Sequence, residues 1–311
     1  LDIGLFSRVN VSLDWYTRTT KDLLMSKQLN SISGFSSLLT NVGQMRNTGV
    51  ELEVRSNNIK TKDFSWTTAF NLSHNKNKIL KLADLPWFVD GRYVRKEGYP
   101  FNTIYLREYA GVDPETGSAL YYDNQQDENG NYTKNKVTDP GQASPIPLKD
   151  ITPTISGGFM NTFNYKFIDL SFNLSYSFGG YSYDNASYIL QDDGYSVISN
   201  KSTEQRRRWQ KPGDITDVPR FVYGNKKGGN YNSSRAIHST DHIRLKSLIL
   251  GLNAPKAWLQ KLGIGNARIY FSGTNLLTWA AYGQYDPEMS GVVGFYTPPL
   301  KTYAFGLELK F

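Results

Sequence analysis

Tyr303-Ala304-Phe305-Gly306-Leu307-Glu308-Leu309-Lys310-Phe311 closes the sequence, and its reading decides the fold. The odd positions Tyr303, Phe305, Leu307, Leu309 and Phe311 are all apolar; Ala304, Gly306, Glu308 and Lys310 are small or charged. A period of two is that of a strand with one apolar face. In water it describes a half-buried antiparallel strand. In a bilayer it describes a strand of a transmembrane β-barrel, apolar toward lipid and polar toward the lumen. Whether the rest of the chain repeats the pattern separates the two.

It repeats many times. Val9, Val11, Leu13 and Trp15 oppose Asn10, Ser12, Asp14 and Tyr16. Val50, Leu52 and Val54 oppose Glu51, Glu53 and Arg55, and Phe64 to Leu72 alternates in the same way. Ile155 to Phe163 leads through a tight turn near Lys166 into Ile168, Leu170, Phe172, Leu174, Tyr176 and Phe178, which oppose five polar residues in strict order. Further strands are predicted near 240–252 and 267–274, and a weaker pair at 101–109 and 118–123. The connections sort by length. Those at 6–8, 58–63, 166 and 253–266 are short or compact. Those at 20–45, 77–100, 124–153, 179–239 and 275–301 are long. Short and long alternate, as in an up-and-down barrel with tight periplasmic turns and long outer loops.

The chain has 311 residues, 39% hydrophobic, 14% aromatic and 20% charged. Mean hydropathy is −0.49, and no stretch approaches the ~18 apolar residues of a membrane helix. A barrel is compatible with that value, because only alternate residues meet lipid. The absence of cysteine removes disulfides, thiolate metal sites and cysteine nucleophiles. The net charge of +7 is spread along the chain and reads as a solvated surface, with no nucleic-acid signature. No G-x-S-x-G elbow, P-loop or H-E-x-x-H is present, so a non-enzymatic protein without a cofactor is expected. The fold class is all-β. About nine to eleven strands are expected, roughly half of the ~22 in large plugged barrels. Open edges are costly in lipid, so residues 1–311 are expected to be the C-terminal part of such a barrel, with the remainder upstream of Leu1.

Several segments resemble the SusC-like (RagA-like) TonB-dependent outer-membrane transporters of Bacteroidetes. They are Tyr16-Thr17-Arg18-Thr19-Thr20-Lys21-Asp22-Leu23-Leu24; Asn41-Val42-Gly43 with Asn47-Thr48-Gly49-Val50-Glu51; and Phe70-Asn71-Leu72-Ser73-His74-Asn75-Lys76-Asn77. Arg208-Trp209 with Pro219-Arg220, Ser272-Gly273-Thr274-Asn275-Leu276, Tyr285-Asp286-Pro287-Glu288, and Pro298-Pro299-Leu300-Lys301-Thr302-Tyr303 follow in the family's order. The resemblance implies import of oligosaccharides or peptides through an outer-membrane barrel with a SusD-like surface lipoprotein as lid. It also implies energy from the TonB complex through an upstream plug and TonB box, and a dimer of transporter–lid pairs. It makes Tyr303, Phe305, Leu307, Leu309 and Phe311 the signal read by barrel assembly. A soluble or surface-attached all-β glycan-binding module and a simple porin remain as alternatives.

The long loops supply the candidate ligand contacts. Loop 179–239 carries Tyr181, Tyr183, Tyr188, Tyr195, Trp209, Tyr223 and Tyr231 beside Asp192 and Asp193; loop 77–100 carries Trp87, Phe88 and Tyr93. Aromatic faces next to carboxylates suit sugar rings or peptide side chains. Trp87, Tyr93, Tyr188, Asp192, Asp193, Tyr195 and Trp209 are the candidates, and the competing reading is that they pack the loops together. No metal site is expected. His238 and His242 read as solvated residues at a strand entry, and Asp127-Glu128-Asn129-Gly130 as a polar turn. Ser202-Thr203-Glu204 reads as the capped start of a short helix whose Trp209 packs into the loop. The glycines of the N-x-G element read as strand-entry residues.

Overall fold

The computed structural model describes residues 1–311 except 30, 36, 42, 83–84, 226–231 and 261–262, so Val42 and Tyr231 lie outside the described residues. One antiparallel sheet follows chain order. Its strands are β1 (Asp2–Leu5), β2 (Val9–Thr20), β3 (Gly43–Lys60), β4 (Phe64–Leu82), β5 (Ile155–Tyr165), β6 (Ile168–Phe178), β7 (His242–Asn253), β8 (Asn266–Ala280) and β9 (Thr302–Lys310). Strand lengths alternate with connections of two kinds. Residues 6–8, 61–63, 166–167 and 254–265 join strands at one end; 21–42, 83–154, 179–241 and 281–301 join them at the other. The weak pair does not enter this wall. Thr103–Leu106, Tyr109–Val112 and Ala119–Tyr122 form small sheets inside the 83–154 loop. Thr103, Ile104 and Leu106 are all buried, so the segment has no lipid-facing parity.

Register turns the local alternation into two faces. A row of directly opposed residues runs Ile3, Val11, Val54, Phe70, Phe159, Leu174, Leu245 and Leu277 across eight strands. The adjacent row runs Asn10, Arg55, Ala69, Met160, Asn173, Ser247 and Thr274 on the other face. The outer row is apolar throughout. A one-residue slip in any strand would reverse its faces.

The sequence itself slips in β7, where Ile243 and Leu245 are odd but Leu248, Leu250 and Leu252 are even. A bulge corrects this. Leu245 opposes Leu174 and Ser247 opposes Asn173, leaving Lys246 unopposed. All five apolar residues then share the outer face. A similar bulge at Asn58 in β3 brings Ile59 opposite Trp66.

Three glycines sit where a tyrosine of the neighbouring strand lies across them. A Cβ on Gly49 would stand 2.5 Å from the Tyr16 hydroxyl oxygen, one on Gly157 2.4 Å from that of Tyr176, and one on Gly306 2.3 Å from the ring of Tyr270. Gly49 lies within β3, so its role is room for a ring rather than entry to the strand. The asparagines of the resembling motifs bond across the same strands. Asn77 donates to Asn47 Oδ1 at 2.8 Å, and Tyr16 Oη to Asn75 Oδ1 at 3.2 Å. Ion pairs form on the inner face: Arg268 Nη2 lies 2.6 Å from Asp169 Oδ2, and Arg55 bonds Glu53.

The outer face has no protein cover. Trp15 is 69% exposed and Phe305 81%. A contiguous apolar face of this extent suits hydrocarbon rather than water. Aromatic residues cluster at its short-turn end, where Trp66 stacks on Phe163 at 5.5 Å and Phe64 meets Tyr165 at 6.5 Å. Buried apolar clusters lie instead among the loops, for example Ile104, Leu106, Tyr183 and Ala236.

Deleting Lys246 removes the bulge but leaves Ser247 opposite Asn173 and Leu248, Leu250 and Leu252 on the outer face, whereas deleting both Lys246 and Ser247 turns those leucines toward the inner face. Loss of the folded, heat-modifiable band on a gel is the expected outcome for the double deletion, whereas the single deletion of Lys246 retains it. Gly49→Ala places a methyl against Tyr16 and costs about 1–3 kcal/mol. Tyr16→Ala in the same chain removes most of that cost, as read from the temperature at which the folded band disappears.

Candidate functional site

The long connections fold against one another above the wall. Tyr181–Asp184 pairs antiparallel with Ile237–Ser239 and in parallel with Gly291–Val293, so loops 179–241 and 281–301 share a sheet. Ile146–Asp150, Thr103–Leu106, Tyr93–Lys96 and Trp87–Asp90 form a second sheet within the 83–154 loop. Two cavities open on these assemblies.

The larger, about 620 Å³, is bounded by the inner face of β7 and β8 and by the 281–301 loop. Its floor is Arg244, 3% exposed. The guanidinium donates to Asp286 at 2.7 Å, Glu288 at 2.8 Å and the Thr278 hydroxyl at 3.0 Å. Lys246 adds a bond to Glu288 at 2.6 Å. The Asp286-Pro287-Glu288 segment therefore clamps the loop to the wall. Beside it Tyr282 donates to Asp184 Oδ2 at 3.1 Å, and Tyr285 bonds Ser182. His238 stacks flat on Tyr282 at 3.7 Å. Burial lowers the pKa of His238 and raises that of Tyr282, so both rings stay neutral at physiological pH.

The smaller cavity, about 460 Å³, lies in the 83–154 loop. Trp87, Tyr105 and Tyr132 give it aromatic faces, with Trp87 and Tyr105 6.0 Å apart. Asn124, Gln125, Gln126, Lys96 and Ser144 supply donors and acceptors. Asn124 is held by Lys134, and Gln125 donates to Ser144 at 3.3 Å.

The structure disperses the sequence candidates. Trp87 lines the smaller cavity and is 45% exposed. Tyr195 is exposed on loop 179–241. Tyr93 and Tyr188 pack against the buried Ile104–Tyr183 cluster. Asp192 is 1% exposed; Lys201 lies 2.6 Å away, and the backbone N–H groups of Gly194 and Ser196 donate to it. Asp193 takes Gln205 at 2.9 Å and pairs with Arg235. Trp209 lies across Gly117 and donates to the Pro114 carbonyl at 2.7 Å, while its N–H bonds Val218 and Arg220 N–H bonds Gly117. The R-W and P-R segments thus meet on one turn. Ser202 caps the 3₁₀ turn Thr203–Arg207, and Asp127 accepts from the backbone of Asn129 and Asn131.

The histidines differ from the solvated reading. His242 is 6% exposed with Nδ1 2.8 Å from the Thr240 carbonyl, and His238 is stacked on Tyr282. Arg244, Tyr105, Tyr132, Asp184 and Tyr282 carried no motif of their own. The paired carboxylates of Asp286-Pro287-Glu288 are the signal from which a cationic partner could have been sought.

An antiparallel wall with one bare apolar face, tight turns at one end and structured loops at the other defines a membrane β-barrel protein. No protein-family model matches the chain. It is 33% identical over 343 residues to TonB-dependent receptor P3 of Formosa agariphila, covering 100% of this chain and 33% of that protein. It is 28% identical over 333 residues to TonB-dependent receptor SusC of Bacteroides thetaiotaomicron, covering 100% of this chain and 31% of that protein. The RagAB peptide transporter structure superposes with a TM-score of 0.87 at 30% identity, covering 98% of this chain and 34% of that one. The RagAB peptide importer in its closed-closed state gives 0.87 at 31%, covering 100% and 34%. The chain belongs with the SusC-like, RagA-like TonB-dependent receptors, and it spans about a third of the length of the relatives it matches.

Arg244→Ala leaves the buried Asp286 without its cation and Glu288 with Lys246 alone, and costs about 3–5 kcal/mol. Faster protease cleavage within 281–301 is the expected readout. Cleavage at the wild-type rate would mean that the clamp does not hold the loop.

Proposed function

We propose that this chain forms wall and outer loops of an outer-membrane importer, in which further strands from the same protein close the barrel around a plug. The unpaired edges of β1 and β9 support this reading, because open edges are costly in hydrocarbon. A SusD-like surface lipoprotein covers the long loops, and TonB drives uptake through the plug. Membrane fractionation of the full-length protein tests the location: it belongs in the outer-membrane fraction with heat-modifiable mobility. Recovery as a detergent-free soluble monomer would overturn the assignment and favour the soluble glycan-binding module.

The substrate proposed is an oligosaccharide. The carrying observation is the smaller cavity, which Trp87, Tyr105 and Tyr132 line together with amide and hydroxyl side chains. Aromatic faces take the apolar faces of sugar rings while neutral amides take their hydroxyls. A second reading, peptide import, is favoured by the similarity to the RagAB peptide transporter. Of the sequence candidates, Trp87 and Tyr195 are the exposed side chains retained as ligand contacts. Trp87→Ala with Tyr132→Ala is expected to weaken glycan binding about tenfold or more, since each stacking contact contributes about 1 kcal/mol. Isothermal titration of the transporter–lipoprotein complex against glycan and peptide panels checks this, and heat from peptides alone would replace the first reading by the second.

A further inference from the structure

Above the apolar face, the outer side of the wall changes character over two strands. On β4 the outward positions continue from Leu72 through His74 to Lys76 and Lys78. Strict alternation would next turn Leu80 outward and Lys81 inward. The register shifts there instead: Ile79 opposes Met45 and Lys81 opposes Gln44, so Leu80 is passed over. Lys81 stays on the outward face and is exposed, while Leu82 turns in, 5% exposed, against Met25 and Ile79.

On β3, Arg46 stands directly opposite Lys78. Like charges opposed across strands are destabilising. Among the described residues, no carboxylate pairs with Arg46, Lys76, Lys78 or Lys81; Arg46 donates only to the Thr19 hydroxyl at 3.3 Å. The inward residues between them, Asn75 and Asn77, are neutral amides tied to Asn47. At this level of β3 and β4 the positive charge therefore lies on the outward side; Arg18 of β2, opposite Asn47, is the neighbouring cation that faces inward. The outward charge begins just above the row of Trp15, Val50 and His74, at the long-loop limit of the apolar face.

We propose that Arg46, Lys76, Lys78 and Lys81 bind the phosphorylated headgroup of an outer-leaflet glycolipid, of the lipid A type. Its acyl chains then lie along Trp15, Val50 and Leu72. This inference rests on the proposed outer-membrane orientation with the long loops outside. Four cations over two strands match a ligand with more than one phosphate, and the bound anion relieves the Arg46–Lys78 repulsion. The apolar face just below selects a lipid over free phosphate.

The test uses the full-length transporter in detergent, with retained lipid counted by native mass spectrometry. The probes are bisphosphorylated lipid A, dephosphorylated lipid A and inorganic phosphate. The wild type is expected to retain the bisphosphorylated form at least about tenfold over the dephosphorylated one. R46Q/K76Q/K78Q/K81Q is expected to lose that preference, and the partial variants R46Q/K78Q and K76Q/K81Q part of it. K60Q/K62Q, at the opposite rim, should keep it. An unchanged preference in the fourfold variant overturns the proposal, as does an equal loss in K60Q/K62Q, which would reduce it to net charge. Displacement of lipid A by inorganic phosphate overturns the lipid assignment. If the protein fractionates outside the outer membrane, the functional reading falls as well. If it fractionates there and the variants bind normally, this inference alone fails.

Discussion

The constraint from which everything else in this molecule follows is that a strand in hydrocarbon must pair every backbone N–H and C=O with a neighbour and still show lipid only apolar side chains. Pairing fixes the residue opposite each residue. Side-chain parity then fixes which face that residue joins. The wall satisfies both conditions across strands whose sequences are unrelated, as the uninterrupted outer row from Ile3 to Leu277 demonstrates. Where a sequence falls out of phase, the backbone rather than the side chain gives way: Lys246 and Asn58 are passed over so that the next residues return to the correct face.

This explains how much was legible. The wall strands were readable because a period of two survives in a single sequence, and the alternation of short and long connections gave their direction. The phase slip between Leu245 and Leu248 was also visible as letters. That it meant a bulge rather than a strand end follows only from the partners on β6 and β8. The loops were harder for a physical reason. A residue such as Asp192 or Asp193 looks like a free carboxylate in sequence, and its ion pair with Lys201 or Arg235 is fixed by folds of the chain up to 42 positions apart. The short strands near Thr103 and Ala119 carry apolar residues for both faces, which is the signature of a small buried sheet and resembles a damaged wall strand.

The motifs that pointed to the family turn out to be mechanical. Gly49 leaves room for the ring of Tyr16, Asn75 and Asn77 bridge to Asn47, Asp286 and Glu288 seize Arg244, and the Arg208-Trp209 segment meets Pro219-Arg220 on the turn at Gly117. None of these contacts requires a particular ligand. They preserve the register of the wall and the seating of the loops.

The parallel pairing of Tyr181–Asp184 with Gly291–Val293 couples two loops that are separate in sequence. With the Arg244 clamp beneath them, these loops behave as a single rigid cap rooted in β7 and β8 rather than as two independent flaps.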